Sequence, residues 1–235
     1  MRLSSLAAAL VLTASASPAF AGEQLFIYGS KERSASYEAQ GAYNSGTQKI
    51  TRKGPGQYAI VLAGKAVAAR GGNVQVTAYG AKPTFCKVER WRPLFSSDME
   101  IVIRCFDVQG RPADSKFTAL FTAAGAGGPP VRFAWAGRPK TRSYTTEAPF
   151  SQNGGQAVKA QQLSRGNYQV TFAGVSAKEA SGGNVQVTSY GSGANFCSVG
   201  RWNHSNGGLG VNVKCFGADG RPAETAFTVL FTPAP

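Results

Sequence analysis

Gly71-Gly-Asn-Val-Gln-Val-Thr77 and Gly182-Gly-Asn-Val-Gln-Val-Thr188 are the same seven residues, 111 positions apart. A Gly-Gly pair marks a turn, and Val-Gln-Val-Thr then alternates apolar and polar side chains with the period of two that belongs to a half-buried strand. The repetition means that the chain is written twice. Working outward, Tyr79-Gly80 recurs as Tyr190-Gly191, Phe85-Cys86 as Phe196-Cys197 and Arg90-Trp91 as Arg201-Trp202. The offset then drops to 110, where Cys105-Phe106 meets Cys215-Phe216 and Gly110-Arg-Pro-Ala113 meets Gly220-Arg-Pro-Ala223. Upstream, Gly56-Gln-Tyr58 matches Gly166-Asn-Tyr168, and Ile27-Tyr28-Gly29 matches Ala134-Trp135-Ala136 more weakly. The repeat divides the chain into module 1 (22–123), a Gly/Pro linker (124–130) and module 2 (131–235).

Period-two runs predict strands at 58–63, 73–79, 84–91, 100–106 and 116–122, with copies at 168–173, 184–190, 195–202, 209–216 and 226–232. Weaker ones fall at 24–28, 37–43 and 48–52, and near 131–135 and 158–162. No stretch after residue 21 reads as a helix. The expected fold is therefore all-β: two tandem homologous modules, each a β-sandwich or small barrel with one disulfide. The 29 glycines in 235 residues fit this, since so many turns need residues free to take positive φ.

Met1 to Ala21 has the layout of a secretory signal: Arg2, an apolar stretch from Leu3 to Thr13, Pro18, then Ala19-Phe20-Ala21 as a cleavage site. The stretch is too short for a membrane span, and no later segment offers one. The expected location is secreted or periplasmic. There the four cysteines pair. Cys86 shares a strand face with Val88, and Cys105 shares one with Ile101 and Ile103; Cys197 and Cys215 repeat the arrangement. Both pairs sit on consecutive strands, which predicts Cys86–Cys105 and Cys197–Cys215. Metal ligation and redox catalysis are the alternatives, but there is no C-x-x-C and His204 has no counterpart in module 1.

Composition argues against an enzyme. One His and 12 acidic residues leave little material for proton transfer, and no catalytic residue, cofactor or metal ligand set is predicted. Asp114 and Glu224 are the one duplicated acid pair; both follow the Gly-Arg-Pro-Ala turn, where an acid is expected either to accept turn hydrogen bonds or to pair with Arg111 and Arg221. The charge is +13, or +12 once Arg2 is removed, divided as +6 per module. The scatter of basic residues along both modules argues against nucleic acid, while a net charge this high favours an acidic polysaccharide or another anionic envelope surface, solubility alone being the alternative. The candidate ligand-binding residues are Tyr79, Arg90, Trp91 and their copies Tyr190, Arg201 and Trp202. On the strand 73–79, Gln75, Thr77 and Tyr79 are expected to face outward, as are Gln186, Thr188 and Tyr190. With the Arg-Trp pairs they would form an aromatic platform for sugars. The alternative is that each Trp is core beside its disulfide. Protein–protein contact and an unrecognised hydrolase site are the other two function classes. The sequence sets no oligomeric state.

The run Gly72-Asn-Val-Gln-Val-Thr-Ala-Tyr-Gly80, with Cys86-Lys-Val88, Trp91, Cys105-Phe-Asp-Val-Gln-Gly-Arg-Pro-Ala-Asp-Ser115 and Phe117-Thr-Ala-Leu-Phe-Thr122, resembles a group of secreted bacterial tandem β-repeat proteins. Tyr43-Asn-Ser-Gly46 fits the same pattern. The resemblance implies exported tandem β modules and transfers no functional residue. Gly217-Ala-Asp219 in place of Asp107-Val-Gln109 argues against a required acid at 107.

Overall fold

Alternating side chains give each strand one apolar face, and two sheets bury those faces against each other in each half of the chain. The computed structural model describes residues 24–66, 71–95, 97–123, 131–205 and 207–233. The expected signal segment (1–21) and the expected linker (124–130) lie outside them. In module 1 the strands are β1 (Gln24–Gly29), β2 (Ser36–Ala39), β3 (Gln48–Gly54), β4 (Gln57–Leu62), β5 (Asn73–Tyr79), β6 (Thr84–Pro93), β7 (Met99–Asp107) and β8 (Lys116–Thr122). Module 2 repeats them in order as β9 (Arg132–Ala136), β10 (Ser143–Thr145), β11 (Val158–Ser164), β12 (Asn167–Ala173), β13 (Asn184–Tyr190), β14 (Phe196–Ser205), β15 (Gly208–Phe216) and β16 (Ala226–Thr232).

Each module is a sandwich. β1-β8-β5 form the small sheet of module 1 and β2-β3-β4-β7-β6 its large sheet; β9-β16-β13 and β10-β11-β12-β15-β14 are the counterparts. The core of module 1 holds Ile27, Ile60, Val74, Ile101, Ile103, Phe117 and Phe121. Phe172, Val185, Val211, Val213, Phe227 and Phe231 fill that of module 2. Cys86 stands directly opposite Cys105 in the β6–β7 register, and Cys197 opposite Cys215 in β14–β15. Both pairs are disulfides, as predicted. Gly56 and Gly166 turn β3 into β4 and β11 into β12 at positive φ. A Cβ at either would stand within 2.4 Å of the cysteine carbonyl below it, so the turn requires glycine on two counts.

Two expectations need correction. A short helix exists, α1 (Ala177–Gly182), closed by a Ser176/Glu179 capping box and packed against the β14–β15 hairpin; the Ser-x-x-Glu signal stands in the sequence, but six residues carry no helical periodicity. The strand expected at 37–43 is Ser36–Ala39, and β10 adds a strand that the sequence did not announce. How the modules pack, which the sequence leaves open, is settled by a shared sheet. β13 runs parallel to β6, with Tyr190 opposite Val88, and the Gly191 N–H donates to the Val88 carbonyl at 2.9 Å. The small sheet of module 2 thereby continues the large sheet of module 1 as one sheet of eight strands.

Candidate functional site

The joint between the modules explains what happens to the predicted platform. In β6 the register slips between Val88 and Arg90. This bulge rotates the strand by one residue, so that Trp91 follows Cys86 and Val88 onto the covered face although their numbers differ in parity. Module 2 receives it. The Trp91 ring meets Tyr190 edge-on at 5.4 Å, Phe150 at 5.9 Å and Trp135 at 6.5 Å, while Trp135 meets both Phe150 and Tyr190 at 5.4 Å. Trp91 is 6 % exposed. Edge-to-face contacts of this kind match the positive ring edge to the negative face and add to the gain from burial.

A polar ladder runs beside this cluster. Thr188 Oγ1 donates to Gln75 Oε1 at 2.8 Å and accepts from the Val76 N–H at 3.1 Å. Thr228 Oγ1 donates to the Val74 carbonyl, and Asn73 Nδ2 donates to the Val229 carbonyl. Gln75 and Thr188, expected to face solvent, are therefore buried. Their side chains do leave their own sandwich, but the other module covers them. Lys87 is buried here as well, donating from Nζ to the Gly193 carbonyl at 2.8 Å. Burial, with Arg104 nearby, lowers its pKa to about 8. Phe85 and Phe196 meet at 5.6 Å across the same joint.

The six predicted ligand-binding residues thus occupy unlike environments. Trp91 and Tyr190 belong to the joint. Arg90 lies beside it, its guanidinium engaged by Glu89 at 2.8 Å and Glu100 at 3.4 Å. Trp202 and Arg201 lie on β14, the last strand of its sheet, with Trp202 40 % exposed. In place of Glu89 and Glu100, module 2 has Gly200 and Gly210, so Arg201 has no such pair. Tyr79 lies at the open end of module 1. The Arg-Trp motif is duplicated in sequence and not in surroundings.

Tyr79 belongs to a group that the sequence reading did not assemble. Repeat alignment equates Tyr28 with Trp135, Tyr43 with Phe150 and Tyr79 with Tyr190, so module 1 carries its own version of the cluster that holds Trp91. The Tyr28 ring stands 5.3 Å from Tyr79 and 5.9 Å from Tyr43, both edge-on. The loop is pinned by Asn44, whose Oδ1 accepts from the Tyr28 N–H, and by Ser45, whose Oγ accepts from the Phe26 N–H. Among the described residues no side chain fills the centre. Tyr43 is 76 % and Tyr79 54 % exposed, and the rings border a cleft of about 520 Å³ with Phe26, Asn44 and Thr118. Two signals for it existed in sequence, the weak Tyr28/Trp135 match and the Tyr43-Asn-Ser-Gly46 motif. Neither says that the residues meet.

The acids hold structure. Asp114 accepts from Arg52 Nε and Nη2 and from the Gly56 N–H, each at 2.9 Å. Burial raises its pKa, but the hydrogen bonds from Arg52 and Gly56 outweigh burial and leave it below the usual carboxylate value. Of the two expected roles for Asp114, the pairing with Arg111 does not form: Arg111 pairs with Asp107 at 2.9 Å. Likewise Glu224 accepts from Gln162, and Arg221 reaches Asp219 at 3.9 Å. None of these acids lines the tyrosine cleft. His204 lies on β14 opposite Leu209. Among the described residues no cluster of three His, Cys, Asp or Glu is arranged to hold a metal, and no helix is long and apolar enough to cross a membrane. The chain matches no protein family, no curated protein and no solved structure.

Proposed function

We propose that this is an exported, non-enzymatic interaction protein whose contact surface is the tyrosine cleft of module 1. The observation that carries this reading is internal to the molecule. Residues at the equivalent three positions of module 2 bind an aromatic side chain, whereas Tyr28, Tyr43 and Tyr79 border a cleft that no side chain among the described residues fills. Exposed aromatic rings converging on one cleft are the usual make-up of a contact hot spot, because tyrosine offers large area at small entropic cost. The engagement of Asp114, Glu89 and Glu179 in ion pairs supports a reading without turnover. The two disulfides fit an extracellular or periplasmic setting.

The test follows tyrosine ring resonances while N-acetyltryptophanamide, and separately neutral and acidic oligosaccharides, are added. The expected result is movement of the Tyr28, Tyr43 and Tyr79 rings with the indole, and its loss in Tyr43→Ala. Ring shifts with a sugar alone would keep the cleft and assign it to carbohydrate. Still rings with every probe would remove the proposed surface.

A further inference from the structure

The molecule contains one completed joint and both halves of a second. In the completed joint a tryptophan on a bulged strand, Trp91, enters an aromatic cluster on the other module. The second tryptophan, Trp202, follows the equivalent bulge in β14, between Val199 and Arg201, and stands exposed at the sheet edge. The second cluster, Tyr28–Tyr43–Tyr79, stands open on module 1. We infer that the chain associates head to tail with copies of itself, Trp202 of one copy entering the tyrosine cleft of the next. The inference rests on the cleft being a contact surface and names its partner.

The polar groups follow the same division. Asn73, Gln75, Thr188 and Thr228 are buried in the completed joint. Their repeat equivalents are Asn184, Gln186, Thr77 and Thr118, and all four are exposed. The strand edge agrees. β6 is covered because β13 pairs with it, whereas β14 ends its sheet with no strand beyond it among the described residues. In the completed joint the Gly191 N–H meets the Val88 carbonyl; between copies the same bond would join Gly80 to Val199. A second copy is therefore the occupant for which each half of the surface already has a matching half on the same chain. An exposed strand edge carrying an exposed tryptophan is a surface that proteins otherwise shield from pairing.

Three parts of the completed joint have no free counterpart, the first being the Phe85–Phe196 contact, whose repeat copy would need the same two rings. Lys87 is replaced by Ser198, and Leu120 already packs in the chain's own joint, against the Val131–Phe133–Leu230 cluster. The association between copies is accordingly weaker than the one within a copy and appears with rising concentration. The two surfaces differ, so the contact is heterologous and extends beyond a dimer or closes into a ring. Both ends carry positive charge, +6 per module, so salt favours association by screening their repulsion.

Sedimentation velocity from low micromolar to near-millimolar concentration tests this on the chain from residue 22. The expected result is a mass that rises through successive multiples of the monomer, with Trp202→Ala and Tyr43→Ala each weakening it at least about tenfold. Both side chains are exposed, and circular dichroism confirms that each variant is folded. The decisive arm mixes the two. Trp202→Ala retains a working cleft and Tyr43→Ala a working tryptophan, so the mixture forms a heterodimer that grows no further. A monomer at every concentration, or growth that survives Trp202→Ala, overturns the inference. If the chain stays monomeric while the indole amide still shifts the tyrosine rings, the self-partner fails and the cleft stands. If the rings stay still as well, both fail.

Discussion

Replacing Trp91 and Trp202 by alanine in turn separates a local from a tertiary account of this protein. Both follow arginine, both lie past a bulge on the strand that carries a disulfide, and local sequence assigns them equal weight. In the structure Trp91 is 6 % and Trp202 40 % exposed. A tryptophan that buries about 250 Å² contributes up to roughly 6 kcal/mol at about 25 cal/mol per Å². Truncation of a buried aromatic side chain costs about 3–5 kcal/mol once partial collapse of the cavity is included. Trp91→Ala should therefore cost about 3–5 kcal/mol, and Trp202→Ala about 1 kcal/mol, near the value for a partly exposed site. At about 2–4 °C per kcal/mol for a chain of this size, Trp91→Ala lowers the midpoint by roughly 6–20 °C and Trp202→Ala by a few degrees. Calorimetry and urea unfolding of the disulfide-intact protein, at low concentration so that any self-association is absent, read both. Tyr190→Ala supplies the internal check: its ring touches Trp91, so the two losses fall short of additive by about 0.5–3 kcal/mol. Equal losses from Trp91→Ala and Trp202→Ala would refute the argument, because they would mean that the joint is not formed in solution.

Three further outcomes follow from the structure. Asp114→Asn removes the charge and one of the two acceptor oxygens of a bidentate arginine and should cost about 2–3 kcal/mol in denaturant unfolding, against less than about 1 kcal/mol for Glu224→Gln, whose partner is the neutral Gln162. Asp114 is held below its unfolded pKa, so its contribution is present above about pH 4 and is lost as pH falls through the lower folded value. On the alkaline side Lys87 has a folded pKa of about 8 against an ordinary 10.5. The unfolded chain binds the extra proton between these values, so this group adds stability as pH rises from about 8 to about 10.5. Tyr168 acts in the opposite sense. Burial raises its pKa to about 12, so above about pH 10 the unfolded chain loses a proton that the folded one keeps, and stability declines. Urea midpoints across this range should thus rise and then fall, and Lys87→Met should remove the rise. Finally, intact-mass measurement without reduction should show two fewer protons per disulfide. Replacing Cys86 and Cys105 together by alanine should cost about 3 kcal/mol, the closure term for a loop of that length.

Much of the framework was legible in the sequence because it is periodic and local. The alternation of Val74 and Val76 with polar neighbours gives a strand wherever it occurs. A cysteine facing the core on each of two consecutive strands brings the pair within bridging distance. Duplication revealed the two modules. The short helix escaped because one capped turn is below what a period of 3.6 can register, and the Arg52–Asp114 pair escaped because its members lie 62 residues apart. Bulges at Glu89 and Gly200 are equally silent, yet they decide which way each tryptophan points.

The sequence by itself determined the all-β class, the repeat, both disulfides and the positions of most strands, since each depends on spacing within a few residues or on the identity of two copies. Only the tertiary structure decided which copy of each duplicated residue is buried. Trp91 and Trp202, Gln75 and Gln186, Thr188 and Thr77 are equivalent in the chain and opposite in exposure. The reason is geometric. Two like modules joined in tandem touch through different surfaces, and a heterologous contact covers one half of each surface and leaves the other half open.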